Sequence, residues 1–206
     1  MVRDDNGQTV LHHAVVKGLP SEIIMLLIHA DPNKESLVMQ DERGRTPLHY
    51  AVINGFFREK IKLLVNFDPS YNKVSLMMPD MYGRAALHYA VIKGFIREKI
   101  KFLVVSDPTD NKVSLTMLDM DSRTPLHHAV IKGLSREKIK LLVDSDTTRK
   151  QKSLTVRDKQ GTGSTPWQIA RRLQASPEII NLLVAGDNLP NATIGRKYDS
   201  GMRRNN

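Results

Sequence analysis

The chain has 206 residues, 40% of them hydrophobic and 26% charged, with a formal net charge of +9 and no cysteine. This composition is typical of a folded protein rather than a disordered one, and the lack of cysteine excludes disulfides and thiolate chemistry. No run approaches the roughly 18 apolar residues of a membrane span. The positive charge predicts an anionic partner, which could be nucleic acid, an acidic protein surface or anionic lipid.

A seven-residue motif recurs along the chain, and its period organises the rest of the sequence. Its fullest form is Arg45-Thr46-Pro47-Leu48-His49-Tyr50-Ala51. Related copies precede and follow it, and the residue in the leucine position falls at 11, 48, 87, 126 and 167, at intervals of 37, 39, 39 and 41 residues. A nearly fixed period of this length indicates a stacked repeat architecture.

Each repeat begins with a turn and a short helix. The turn has Asp at its start and, in most repeats, Gly at its end, as at 41–44, because Asp favours turn starts and Gly accepts a positive φ. Thr46 is then a helix cap and Pro47 stands in the first helical turn, where its missing N–H costs nothing. Gly55 predicts the end of this helix.

A second, longer helix follows in each repeat. Ile61, Leu64 and Val65 fall on one face at helical spacing, whereas Lys60 and Lys62 are predicted to point away. The long loop after this helix carries a Ser-Leu pair in every copy, and we predict that the loop is structured with its leucine packed inward. These leucines are Leu37, Leu76, Leu115 and Leu154.

With these residues the chain resembles the ankyrin repeats, in which a hairpin is followed by two antiparallel helices. The resemblance implies a mainly α solenoid of helix-turn-helix units with β-hairpin loops. It covers an ankyrin-repeat domain at 1–187, with repeats at approximately 4–40, 41–79, 80–118, 119–157 and 158–187; a basic tail at 188–206 is predicted to be disordered. The period exceeds the roughly 33 residues usual in the family.

The two ends of the array differ in character. The last repeat carries polar residues such as Arg171 and Arg172, which suit a terminal cap. The first repeat carries the apolar run Ile23-Ile24-Met25-Leu26-Leu27-Ile28, and its outer face is expected to be uncovered. We therefore expect this face to pack on another chain or on an upstream domain.

One histidine per repeat invites a metal hypothesis. These column histidines are His12, His49, His88 and His127. Packed helices lie about 8–10 Å apart, whereas zinc needs its ligand nitrogens about 2 Å from the ion. We predict no metal or cofactor, and the resemblance implies that these histidines tie the hairpin loops together by hydrogen bonds.

Catalytic patterns are lacking as well. The sequence holds no cysteine and no serine in a Gly-x-Ser-x-Gly elbow. The segment Gly161-Thr162-Gly163-Ser164-Thr165 lacks the lysine of a phosphate-binding loop. We predict that the chain is not an enzyme.

Family members usually bind partners at the hairpin tips and the exposed side of the first helices. The resemblance therefore predicts the following partner-binding residues: Arg43, Arg45, Ile53, Met81, Tyr82, Arg84, Ile92, Lys93, Met120, Asp121, Arg123, Ile131 and Lys132. Two interpretations of the arginine column Arg45, Arg84 and Arg123 stay open. Each arginine either pairs with a nearby tip carboxylate, or its guanidinium group binds a carboxylate of an extended peptide.

The predicted function is protein–protein interaction through a basic and aliphatic concave face, with an acidic protein segment as the partner. The predicted location is cytoplasmic or nuclear. The resemblance extends to arrays that pathogens use as effectors on host proteins, and for such an effector the location would be the cytoplasm or nucleus of the host cell. One alternative is binding of nucleic acid or anionic lipid through the basic surface; the low aromatic content of 5% disfavours single-stranded nucleic acid. Another is that the array is the targeting domain of a larger enzyme or channel.

Overall fold

A computed structural model describes residues 2–56, 58–148, 151–160 and 163–184, and its helices follow the repeat period. They are α1 (Val10–Val16), α2 (Ser21–His29), α3 (Pro47–Ile53), α4 (Arg58–Asn66), α5 (Ala86–Ile92), α6 (Arg97–Ser106), α7 (Val113–Thr116), α8 (Pro125–Ile131), α9 (Arg136–Ser145), α10 (Lys152–Thr155), α11 (Pro166–Arg172) and α12 (Pro177–Val184), with 3-10 turns at Glu35–Leu37 and Val74–Leu76. The predicted helical repeat solenoid is confirmed. The predicted tail at 188–206 lies outside the described residues.

The helices form two layers. The first helices α1, α3, α5, α8 and α11 pack side by side in chain order, and each packs on the second helix of its own repeat. The second helices form the other layer, where α2 contacts α4, and α9 contacts both α6 and α12. Fully buried side chains such as Leu48, Val52, Ile61 and Leu64 join the layers into one continuous apolar core. None of the described helices is long and apolar enough to cross a membrane.

The hairpin loops are tight turns rather than paired strands. Asp41 N donates to Arg45 O at 3.0 Å and Gly44 N donates to Asp41 O at 2.9 Å. Across the described residues the only β-type pairing outside these turns is an isolated bridge between Arg3 and Thr9. Gly44 has a φ of +70°, and a Cβ there would lie 2.8 Å from the backbone nitrogen of Met81. Glycine is therefore required at this position both by the turn itself and by the close approach of the turn in the next repeat.

Threonine and histidine together cap the first helices. Thr46 Oγ1 accepts a hydrogen bond from His49 N at 3.4 Å, and His49 Nδ1 accepts one from Thr46 N at 3.1 Å. The third repeat departs from this arrangement because Ala85 stands in the threonine position. His88 N there donates to the carbonyl oxygen of Ala85 at 3.0 Å instead.

The long loops are ordered by one aspartate each. Asp68 closes the second loop by accepting hydrogen bonds from Ser70 N at 2.9 Å and Ser75 N at 2.8 Å. The leucine that follows is Leu76, which is buried. Its equivalents in the other repeats are Leu37, Leu115 and Leu154, all buried as well, so the prediction of structured loops with inward leucines is confirmed.

The prediction that Lys60 points away from the array is wrong. Its Nζ donates to the carbonyl oxygen of Gly18 in the preceding repeat at 2.7 Å and lies 4.4 Å from the ring centre of Phe56. Lys99 and Lys138 repeat the bond, to Gly55 O and Gly94 O. The aliphatic stem of a lysine can lie along the helix while its charged end reaches a helix C-terminus, where cations are favoured. One lysine of each basic second helix is thus a tie between repeats.

We expect Ala85→Thr to stabilise the array by about 1 kcal/mol, because it restores the missing side-chain cap of α5. The site can hold threonine, since the equivalent Thr46 and Thr124 are fully buried. The urea midpoint of unfolding measures the effect. Thr124→Ala is the matched control and should lower the midpoint by a comparable amount; a lower midpoint for Ala85→Thr would contradict the capping argument.

Candidate partner-binding face

The turns at the start of the repeats are joined by backbone hydrogen bonds into one row. Met81 N donates to Arg43 O at 2.9 Å, and Met120 N donates to Tyr82 O at 2.9 Å. The same bond joins Glu42 N to Asn6 O and Lys159 N to Asp121 O. We call the residues between the Asp and the Gly or Ser of these turns the tip row. Its backbone polar groups are bonded within the array, and most of its side chains are exposed.

The column histidines hold the tip row on the helices. His49 Nε2 lies 2.9 Å from the carbonyl oxygen of Arg84 in the next repeat, while its Nδ1 accepts the N–H of Thr46. A carbonyl oxygen only accepts, so Nε2 carries the proton and the neutral tautomer is fixed by its two partners. His12, His88 and His127 make the equivalent bonds to Arg45 O, Arg123 O and Ser164 O. The predicted role of these histidines as ties is confirmed.

Burial sets the protonation of these histidines. It lowers the pKa of His88 to about 4, although the hydrogen bond to Arg123 O acts in the opposite direction. Burial likewise lowers the pKa of His127 to about 4 against the bond to Ser164 O. Both rings are therefore neutral at pH 7. Among the described residues, no group of three or more histidines and carboxylates is arranged to hold a metal ion.

Each tip aspartate is enclosed by donors of its own repeat. Asp119 Oδ1 accepts from Asp121 N and Arg123 N, and its Oδ2 accepts from His128 Nε2 at 2.8 Å. Burial acts to raise the pKa of Asp119, but the bonds from His128 and from the Arg123 N–H outweigh it and lower this pKa to about 2. Tyr50 and Tyr89 take the place of His128 in the two preceding repeats and donate to Asp41 and Asp80.

The sequence analysis did not predict that the motif position of Tyr50, Tyr89 and His128 bonds to the tip aspartates. The sequence does hold a signal for it, because Tyr or His stands two residues after the leucine in four of the repeats. Both side chains offer a hydrogen-bond donor at their far end. The repeats therefore share a hydrogen-bond donor at this position rather than one residue type. A shared donor is harder to recognise in a sequence motif than a shared residue.

The arginine column reaches from each repeat toward the next. Arg45 Nε lies 3.8 Å from Asp80 Oδ2, and Arg84 Nε lies 3.8 Å from Asp119 Oδ2. Arg123 Nε is closer, at 3.4 Å from Asp158 Oδ2. These contacts match the interpretation in which each arginine pairs with a local carboxylate. That the same guanidinium groups also bind a partner stays a prediction.

Aromatic rings lie beside two arginines of the column, Arg45 and Arg84. Arg45 Cζ lies 5.7 Å from the ring centre of Tyr50 and 5.8 Å from that of Tyr89, one ring from each of two repeats. Arg84 Cζ lies 5.5 Å from the ring centre of the exposed Tyr82. Contacts of this length are attractive, so Arg45 joins two repeats through ring faces as well as through charge.

The tip row exposes three large apolar side chains. Met81, Tyr82 and Met120 are 54%, 44% and 64% exposed, and they lie on adjacent turns whose backbones are bonded to each other. Arg43 on the preceding turn is also exposed, whereas Asp121 is half-buried and lies 3.4 Å from Arg123 Nη1. The structure thus brings the predicted tip residues together along one line.

The predicted helix residues lie at the C-terminal ends of the first helices. Ile131 is exposed, while Ile53 and Ile92 are half-buried. Lys93 and Lys132 follow these helices at the cap positions, and both are exposed. The first helices separate this group from the tip row, so the predicted face has an apolar tip side and a basic side at the opposite helix ends.

The comparisons with known proteins agree with the geometry. A family model described as ankyrin repeats (3 copies) matches residues 20–113, from the start of the second helix of the first repeat to the long loop of the third. A comparison with curated proteins finds no match. The same turn, helix and helix order continues beyond the matched segment through α12.

We expect the array to lose stability as the pH falls from about 6.5 to about 4. In this window His88 and His127 stay neutral when folded, whereas an unfolded histidine, with a pKa near 6.5, binds a proton. Unfolding then takes up protons, so each such histidine lowers the free energy of unfolding by up to about 1.4 kcal/mol per pH unit. Carboxylates whose pKa is lowered in the folded chain, such as Asp119, reduce the free energy of unfolding further only below about pH 4.

His127→Gln tests this assignment, because the last repeat uses Gln168 in the histidine position and its Oε1 accepts from Thr165 N at 3.0 Å. The variant should fold and show a weaker pH dependence of the urea midpoint between pH 4 and 7. His127→Ala is the control: it loses both hydrogen bonds and should be destabilised at every pH. An unchanged pH dependence in His127→Gln would contradict the assignment.

Proposed function

Because the chain is an ankyrin-repeat protein, we propose that it is a protein–protein interaction module whose partner contacts the tip row and the exposed ends of the first helices. Ankyrin repeats generally serve in such interactions. The observation that carries the proposal is the line of exposed Met81, Tyr82 and Met120 on turns that are bonded to each other. Methionine and tyrosine are enriched at protein interfaces.

The rigidity of the tip row supports binding. The turns already have their backbone bonds to neighbouring turns, so little conformational entropy is lost when a partner orders the side chains. Exposed apolar side chains on a rigid support can act as the few anchors that dominate an interface. The proposed activity is binding alone.

The charge around these anchors supports an acidic partner. Arg43, Lys93 and Lys132 are exposed cations within the proposed face. We propose that they attract the acidic residues of a partner segment, while its apolar residues contact Met81 and Met120. The arginines at 45, 84 and 123 would then act mainly by fixing the tip row, because each also faces a carboxylate of the next repeat.

A display selection of random peptides on the intact chain tests this proposal. We expect acidic peptides with apolar anchors to be enriched. Their affinity should fall about tenfold or more in the triple variant Met81→Ala, Tyr82→Ala, Met120→Ala, because interface anchors contribute more than about 1 kcal/mol each. Isothermal titration calorimetry with the enriched peptides measures the loss.

The matched control removes one exposed tyrosine and two exposed aliphatic residues outside the tip row, as Tyr71→Ala, Val105→Ala, Val113→Ala. This control should bind the enriched peptides as the parent chain does. Equal losses in both variants, or none in either, would refute the proposed face. If the ligand were nucleic acid, affinity would instead fall linearly with salt concentration on logarithmic axes, with a slope set by the number of phosphate contacts.

A further inference from the structure

The face of α1 and α2 that lies opposite α3 and α4 is apolar and open. Val10 and Leu26 on this face are 60% and 61% exposed. In repeats that follow another repeat, the equivalent positions are less exposed: Pro47 is buried, Leu63 and Phe102 are half-buried, and Leu141 is 8% exposed. A cavity of about 450 Å³ opens at this end between the start of α1 and the first long loop. The face therefore has the shape of a repeat interface whose other half is missing from the described residues.

Within the described part of the chain, two backbone groups of this face also lack the inter-repeat hydrogen bonds that the equivalent groups make inside the array. Inside the array, Glu42 N donates to the preceding tip at Asn6 O, and His12 Nε2 bonds to the following repeat at Arg45 O. The equivalent groups of the first repeat are Asp5 N and Gln8 O. Neither has a bond to a preceding tip or histidine among the described residues. A molecule that continued the repeat pattern would satisfy both.

The opposite end of the array differs from the first in exposing basic and polar groups. Arg171 on α11 is exposed, although the equivalent Val91 and Val130 are covered by a following repeat. Gln168 stands in the place of a column histidine, and its amide nitrogen is a hydrogen-bond donor. Lys159 is the exposed cation of the last tip.

Charge distinguishes the two ends. Residues 1–40 have five acidic and three basic side chains in a chain whose net charge is +9. The acidic ones are Asp4, Asp5, Glu22, Asp31 and Glu35, and the basic ones are Arg3, Lys17 and Lys34. The last tip and first helix of the final repeat instead present exposed Lys159, Arg171 and Arg172. Contact between like ends would be repulsive and contact between unlike ends attractive.

We propose that a second copy of this chain docks head to tail, with the last repeat of one copy covering the open face of α1 and α2 in the next. The joined tips would place Lys159 beside Asp5, and the contact would cover Val10 and Leu26. This interface joins two different surfaces and continues the solenoid, so association is open rather than limited to a dimer. The inference is independent of the proposed partner-binding face.

Sedimentation velocity over a concentration series, up to about 1 mM, tests the docking with the full chain. The average mass should rise above 23.3 kDa with concentration and pass the dimer without a plateau. Leu26→Gln should weaken association about tenfold, because a covered leucine is replaced by an amide. Its urea midpoint should stay unchanged, since Leu26 is exposed in the single chain.

A charge exchange tests the register of the docking. Lys159→Glu and Asp5→Lys should each weaken association, because each places like charges together at the joined tips. The double variant should restore it, since every interface then holds the reversed pair. Neither side chain makes a hydrogen bond or ion pair with another described residue. A mass that stays at 23.3 kDa, a plateau at the dimer, or a double variant as weak as the single ones would overturn the proposal.

Discussion

The hydrogen bond from each column histidine to a carbonyl oxygen of the next repeat is the contact on which the rest of the array depends. In the second repeat it joins His49 Nε2 to Arg84 O, while the same ring caps its own helix through Thr46. One buried side chain thus fixes a helix start, a turn and the following repeat. Burial lowers the pKa of His88 and His127 to about 4. The ring is therefore neutral, so one nitrogen can accept a hydrogen bond while the other donates one.

This arrangement separates the backbone of the turns from their side chains. The backbone bonds of the tip row are satisfied within the array, and the tip aspartates are enclosed by donors such as His128. Side chains between them, including Met81 and Met120, are free to vary without loss of the fold. A scaffold of this kind can change its binding specificity through the tips alone, which is why the fold by itself does not identify a partner.

Much of the positive charge has a structural use. Lys60 bonds to the carbonyl end of the preceding first helix, and Arg45 lies between two tyrosine rings and faces Asp80. These cations join repeats rather than standing free in solvent. The net charge of +9 therefore overstates the charge that an acidic partner could meet, and the exposed Arg43, Lys93 and Lys132 are the better guide to such a partner.

The sequence by itself determined the repeat period, the helix caps and the inward leucines, because turn, cap and helix preferences act between residues close in the chain. It also predicted the column histidines as ties, once the motif had indicated the family. The sequence also predicted the uncovered outer face of the first repeat, where Leu26 is exposed. The direction of Lys60 and the contact of Arg45 with the Tyr89 ring were decided by the tertiary structure alone. Each depends on a residue about 40 positions away in a neighbouring repeat, and no local pattern contains that information.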